Sequence, residues 1–133
     1  MSDKKPEKGG RSGRVVYWTV AAVCVSLGLM GRQLDVPWLA NHLGGFFYVF
    51  FWSCLILGAF PRQRPGPLVG FVLAATCGLE FLQLWHPPFL ESVRATRPGA
   101  MLLGTTFLWE DFPAYFVGAL AAWALSAFIL ARR

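Results

Sequence analysis

Long apolar runs alternate with short polar stretches along this chain, and four of the runs are long enough to cross a membrane. They cover residues 15–31, 43–60, 67–85 and 112–131, about 17 to 20 residues each. At 1.5 Å of rise per residue, a helix of that length spans ~26 to 30 Å, the thickness of a bilayer core. We therefore predict an all-α membrane protein in which residues 15–133 form one domain with four transmembrane helices.

The stretch between the third and fourth runs, about 26 residues, is too long for a bare connection. The sequence His-Pro-Pro at 86–88 is expected to end the third span, because neither proline donates a helical hydrogen bond. The apolar segment 98–109 begins with a proline and is too short to span a bilayer. This pattern predicts a short interfacial or re-entrant helix, folded over the ends of spans three and four. Asp111 is placed to cap the fourth span.

Composition limits the classes of function. Hydrophobic residues make up 56% of the 133 residues and charged residues only 14%, and the mean hydropathy is +0.50. The four runs take up about 74 residues, so about 59 remain for the tail and loops. No extramembrane domain fits into these pieces, which excludes a soluble enzyme, a nucleotide-binding fold and a separate receptor domain.

The net charge of +5 comes from basic residues that follow a topological rule. If the four spans alternate in direction, nine of the twelve lysines and arginines fall on one side of the membrane. The positive-inside rule then predicts that the basic tail, residues 1–14, and both termini are cytoplasmic. Because the tail lacks interleaved aromatic residues, we expect no nucleic-acid partner. The nine residues are Lys4, Lys5, Lys8, Arg11, Arg14, Arg62, Arg64, Arg132 and Arg133.

Small residues recur at four-residue spacing in the last two spans. Gly70, Ala74 and Gly78 share one helix face, and so do Gly118 and Ala122. Such faces let helix backbones approach closely, so we expect spans three and four to pack against each other through them. The close-packing glycines that we single out are Gly78, Gly104 and Gly118.

Glu80 is the one ionisable side chain well inside an apolar run. A charged acid at a helix centre costs ~2.5 to 3.5 kcal/mol on insertion scales, so we expect it to be paired, neutralised or hydrated. Gln83 projects from the same helix face, and Arg94 or Arg97 is the expected ion-pair partner. The candidate polar cluster comprises Glu80, Gln83, Arg94, Arg97, Asp111 and Tyr115.

The cysteines and histidines show no metal-binding pattern. Cys24, Cys54 and Cys77 lie one per span, which is typical of packing residues. His42 and His86 have no further ligand of matching type nearby in sequence. We therefore expect no metal, no cofactor and no catalytic residue set.

Several motifs resemble those of a known family. They are Glu80-x-x-Gln83, the run 88–96, Leu103-Gly104, Asp111-x-x-x-Tyr115-x-x-Gly118 and Gly28-Leu29-x-x-Arg32. Together they resemble the bacterial integral membrane proteins of unknown function designated DUF2809, over about 15–130. The order of glutamate, glutamine, arginine and aspartate is more remotely similar to VanZ-like membrane proteins, which are linked to glycopeptide resistance. The resemblance implies a location in the bacterial plasma membrane.

Three classes of function remain open. The first is a non-enzymatic structural or accessory protein of the cell envelope. The second is a binding protein for an outer-leaflet lipid or envelope precursor, which would use Arg94 and Arg97 for phosphate and Trp85 and Trp109 at the interface. The third is an enzyme or proton-coupled carrier with Glu80 as acid or base. The expected partners are membrane lipid and either further copies of the chain or a larger membrane complex.

Overall fold

The computed structural model describes residues 8–31, 33, 35–104 and 107–132, with residues 8–12 and 39–41 described by their backbone alone. This part of the chain forms six helices and no strand. Four of them are long and apolar enough to cross a membrane, which confirms the predicted fold class. The helices are α1 (Lys8–Gly31), α2 (Pro37–Ala59), α3 (Pro65–Leu82), α4 (Pro88–Arg94), α5 (Arg97–Leu103) and α6 (Asp111–Ala131).

Prolines begin several of these helices. Pro37, Pro65 and Pro88 each occupy the first position of their helix, where the missing N–H has no helical partner to lose and the fixed φ suits the helix. Helix α1 begins at Lys8, so the basic residues just before the first span are helical. The rest of the predicted basic tail, residues 1–7, lies outside the described residues.

Helix α2 is central to the bundle, because it packs against α1, α3 and α6. Val49 and Leu57 of α2 belong to a core that also includes Tyr17 of α1 and Ala122 of α6. Gly118 of α6 lies against the backbone of α2: a Cβ atom at this position would come within 2.6 Å of the Phe46 carbonyl oxygen. The small-residue face of α6 therefore packs closely, as expected, but its neighbour is α2.

The small-residue face of α3 does not pack as predicted. A Cβ atom at Gly70 or Gly78 would meet nothing within 4 Å, and Ala74 is exposed. Helix α3 does contact α6, but its buried residues are Val69, Val72, Thr76 and Glu80. The expectation that Gly78 is a close-packing glycine is therefore wrong, because the opposite, bulkier face of α3 is the one turned into the bundle.

Two short helices, rather than one, connect α3 to α6. Helix α3 ends at Leu82, and α4 and α5 follow before α6 begins at Asp111. The Thr96 side chain caps α5 by accepting a hydrogen bond from the Gly99 N–H (3.1 Å). Asp111 does not cap α6, because it is the first helical residue and no side-chain cap is formed there. We call residues 83–104 and 107–110 the capping segment, and the end of the bundle that carries them the capped end.

The opposite end of the bundle brings together the start of α1, the end of α2, the start of α3 and the end of α6. Tyr17, Leu57, Pro65 and Leu130 line one cleft there. We call it the arginine end, after four exposed side chains that lie around it. They are Arg14, Arg62, Arg64 and Arg132.

Candidate functional site

The carboxyl group of Glu80 joins three parts of the capped end. Its side chain lies within the last turn of α3, and the residue is only 1% exposed. Oε1 accepts a hydrogen bond from the backbone N–H of Leu108 (3.0 Å). Oε2 accepts from the Tyr115 hydroxyl of α6 (2.8 Å) and, at 3.4 Å, from Nε2 of Gln83. One side chain of α3 thus holds both the end of the capping segment and the start of α6.

Gln83 and Tyr48 fix the C-terminal end of α5. Gln83 Nε2 also donates to the Leu103 carbonyl oxygen (3.0 Å). The Tyr48 hydroxyl of α2 donates to the carbonyl oxygen of Leu102 (2.8 Å). Gly104 follows with φ of 73° and ψ of 169°, a conformation essentially restricted to glycine. A Cβ atom at Gly104 would also collide with the Gln83 amide. Gly104 is therefore a close-packing glycine, as expected.

Arg94 binds the end of α3 instead of Glu80. Its side chain is 5% exposed. Nη2 donates to the carbonyl oxygen of Leu82 and Nη1 to that of Trp85, both at 2.9 Å. Nη1 also lies 2.8 Å from Oε1 of Glu91. The predicted ion pair between Glu80 and Arg94 is therefore wrong: the guanidinium instead donates to two backbone carbonyls around the end of α3, of which that of Leu82 also accepts from the Trp85 N–H (3.0 Å).

Arg97 is the other predicted partner that the structure keeps away from Glu80. It is exposed at the start of α5 and forms no hydrogen bond or ion pair with another described residue. Its separation from the buried carboxyl follows from the fold, because Arg97 is the first residue of α5, whereas Leu103 at the other end of that helix is the residue that contacts Gln83 beside Glu80. Arg97 is thus not part of the assembled cluster.

A second, exposed ion-pair cluster surrounds Glu91 in α4. His86 Nδ1 and Arg94 Nη1 lie 3.0 and 2.8 Å from the same oxygen, Glu91 Oε1. Hydrogen bonds from His86 and Arg94 lower the pKa of the Glu91 carboxyl below its ordinary value. This cluster fastens α4 to the turn that follows α3.

Asp111 at the start of α6 belongs to the same group, because its carboxyl lies within electrostatic reach of the Glu80 carboxyl. The structure therefore brings together Glu80, Gln83, Asp111 and Tyr115 of the predicted cluster, and leaves out Arg94 and Arg97. The backbone groups of Leu108 and Leu103 that complete it were not predicted. Main-chain N–H and C=O groups occur at every position, so no sequence signal marks them.

An aromatic cluster beside the polar group was also not predicted as a unit. The rings of Phe81, Phe107, Trp109 and Phe112 pack with centroid distances between 4.9 Å (Phe107 to Trp109) and 6.2 Å (Phe81 to Trp109). Trp109 is 69% exposed, which fits a ring at a membrane–water interface. These residues come from α3, the capping segment and α6, so only the tertiary fold joins them.

These features define a class: a small helical membrane protein with four spans, whose last two spans are joined by a capping segment fastened through buried polar side chains. Within the described residues, no group of three or more His, Cys, Asp or Glu side chains could hold a metal ion. Residues 34–119, about two thirds of the chain, match the family described as "Protein of unknown function (DUF2809)", and the chain belongs to this family. No solved structure matches it. The match includes the whole polar cluster.

Proposed function

We propose that this chain is a non-enzymatic structural or accessory protein of the bacterial cell envelope, whose capping segment forms a fixed surface at one face of the membrane. The observation that carries the proposal is that donors of the same chain occupy both oxygens of Glu80. Because Glu80 is only 1% exposed, a ligand reaches this carboxyl only by displacing the Leu108 N–H or the Tyr115 hydroxyl. Such a displacement leaves a buried polar group without a partner, which costs ~1 to 3 kcal/mol.

The same contacts weigh against the two alternatives. A binding protein for lipid or envelope precursor was expected to use Arg94, but its guanidinium is buried and engaged with Leu82 and Trp85. Arg97 and Trp109 are exposed and accessible to such a ligand. Arg94, which would fix the orientation of the ligand, is not accessible. An enzyme or carrier was expected to use Glu80 as acid or base. The Glu80 carboxyl is instead hydrogen-bonded to the Leu108 N–H and the Tyr115 hydroxyl, which hold the capping segment and α6 in place.

We also propose that the protein lies in the plasma membrane with both termini in the cytoplasm. The support is the charge pattern of the sequence, in which nine of the twelve basic residues fall on one side if the four spans alternate. Four of these, Arg14, Arg62, Arg64 and Arg132, lie exposed at the arginine end. Reporter fusions at the C-terminus and in the 60–64 turn test this orientation. Both fusions should report cytoplasm, and a periplasmic signal from either would refute it.

The experiment that tests the structural role compares the double variant Glu80→Gln with Arg94→Gln against Arg97→Gln. The double variant loses contacts at two buried positions, so its folded yield after detergent extraction should fall severalfold. Arg97→Gln is the matched control, because this exposed arginine in the same segment has no partner among the described residues, and its yield should stay normal.

A cellular assay separates this role from the alternatives. A phenotype of the deletion strain should be rescued by each variant in proportion to its folded yield. A double variant that reaches normal yield but fails to rescue would contradict a structural role and favour binding or catalysis at the cluster.

A further inference from the structure

The arginine end carries an unbalanced positive charge. Arg14 of α1, Arg62 and Arg64 of the α2–α3 turn, and Arg132 at the end of α6 are all exposed. Every described aspartate and glutamate lies at the capped end or in the connection from α1 to α2. The four guanidinium groups therefore have no internal counter-ion among the described residues, and they attract anions from outside the chain.

Two of these arginines are held on the lipid-facing surface. The Arg132 guanidinium carbon lies 4.3 Å from the ring centroid of Phe128, and that of Arg14 lies 5.8 Å from the ring of Trp18. Both rings are about half exposed, and in a spanning helix that exposed surface meets lipid. A cation over such a ring is attracted to its face and stays at the level of the headgroups, where the charged end of a snorkelling side chain lies.

A small open cleft lies at the same end of the bundle. It is lined by Tyr17 of α1, Leu57 of α2, Leu130 of α6 and Gln63 of the turn, and has room for about 20 Å³. This volume is too small to enclose a metabolite, so a ligand at this end lies mostly outside the protein. Gln63 supplies an amide to this lining and is flanked in sequence by Arg62 and Arg64, which are both exposed.

We propose that the arginine end binds the phosphate headgroup of an anionic phospholipid in the leaflet that it faces. The guanidinium groups of the turn and of α6 contact the phosphate, and the acyl chains lie along the exposed apolar side of the helices. Basic pockets between spanning helices are known to hold such headgroups, and guanidinium groups donate to phosphate in a bidentate way. This site is separate from the polar cluster of the capped end.

The test measures lipid binding to the detergent-purified full chain by native mass spectrometry. Phosphatidylglycerol and phosphatidylcholine of equal chain length are added in parallel. The wild type should retain the anionic lipid at least tenfold better, and a rise from 0.05 to 0.5 M salt should reduce this preference. Equal retention of the two lipids by the wild type would overturn the proposal, whatever the variants do.

Variants then locate the site. A basic residue at an anionic surface contributes ~1 kcal/mol, which is about fivefold in affinity, so Arg62→Gln with Arg64→Gln should weaken phosphatidylglycerol binding about 25-fold. Arg132→Gln alone should weaken it about fivefold, and it carries the test if the double variant does not fold. Arg97→Gln is the matched control at the other end and should leave binding unchanged. A site at the arginine end would be refuted if Arg97→Gln weakened phosphatidylglycerol binding as much as the other variants. It would also be refuted if neither the double variant nor Arg132→Gln weakened that binding.

Discussion

Tyr115→Phe is the most direct test of how Glu80 holds the capped end. The substitution removes one hydroxyl group and keeps the ring, which packs near Phe112. It leaves Oε2 of Glu80 with only the longer contact to Gln83, at 3.4 Å. Because both Tyr115 and Glu80 are buried, no bulk water replaces the lost donor. The expected loss of unfolding free energy is about 1 to 3 kcal/mol, above the ~0.6 kcal/mol average for hydrogen bonds between membrane helices.

The assay is equilibrium unfolding of the purified chain by sodium dodecyl sulfate in mixed micelles, followed by tryptophan fluorescence. Tyr48→Phe is the matched control, because it removes a hydroxyl bonded at 2.8 Å to a backbone carbonyl at a less buried position. We expect a smaller loss there, because water can reach the acceptor.

A double-mutant cycle with Glu80→Gln isolates the pair. Residues in direct contact show interaction energies of about 0.5 kcal/mol or more, whereas independent sites add. A coupling near zero, or a Tyr115→Phe variant no less stable than Tyr48→Phe, would refute the view that this hydrogen bond fastens α6 to α3.

Three further predictions concern the capping segment. Arg94→Lys should lower the unfolding free energy by about 2 kcal/mol and raise protease cleavage of the segment, because a single ammonium group cannot reach both carbonyl oxygens; cleavage at the wild-type rate would contradict this. Gly104→Ala should cost about 1 to 3 kcal/mol because of its positive φ, whereas Gly78→Ala, which meets open space, should cost nothing measurable in the same unfolding assay. Because the folded-state pKa of Glu91 is lowered, its stabilisation is present above the ordinary carboxyl pKa of about 4.3 and is lost as the pH falls through the lowered value. Melting curves between pH 7 and 3 should show this loss of stability in the wild type but not in Glu91→Gln. The loss should be smaller in His86→Ala, because His86 supplies part of the lowering of the Glu91 pKa.

The spanning helices could be predicted from the sequence because their signal is local. A run of about 18 apolar residues determines a span by itself, whatever its neighbours are. The positions where helices end were harder to predict: the third run reaches Trp85 in apolar character, but α3 stops at Leu82. The prolines at 87–88 predict the end of a helix, and α3 does end before them. Pro88 also begins α4, a role that proline serves equally well.

The polar cluster could be predicted only in part, because sequence shows which side chains need partners and not which partners are near. The sequence marks Glu80 as an acid inside an apolar run, and Tyr115 joins the candidate cluster because it lies four residues after Asp111 on the same face of the fourth span. The choice of Arg94 as its partner failed because opposite charge is only one way to satisfy a carboxyl group. Gly78 failed for a related reason: a small-residue face permits close approach, but the sequence does not state whether another helix is there.

The early end of α3 and the burial of Arg94 have the same physical cause. A helix that stops inside an apolar region leaves carbonyl oxygens without helical donors, and little water is available there to replace them. Arg94 supplies two N–H groups to the Leu82 and Trp85 carbonyls, and Glu80 accepts the N–H of Leu108 from the chain that enters α6. Arg94 thus satisfies backbone groups where the chain enters the capping segment, and Glu80 satisfies one where the chain leaves it. These contacts explain why the two side chains do not pair with each other. A ligand at either side chain would have to compete with the backbone itself, which supports the structural role that we propose for the cluster.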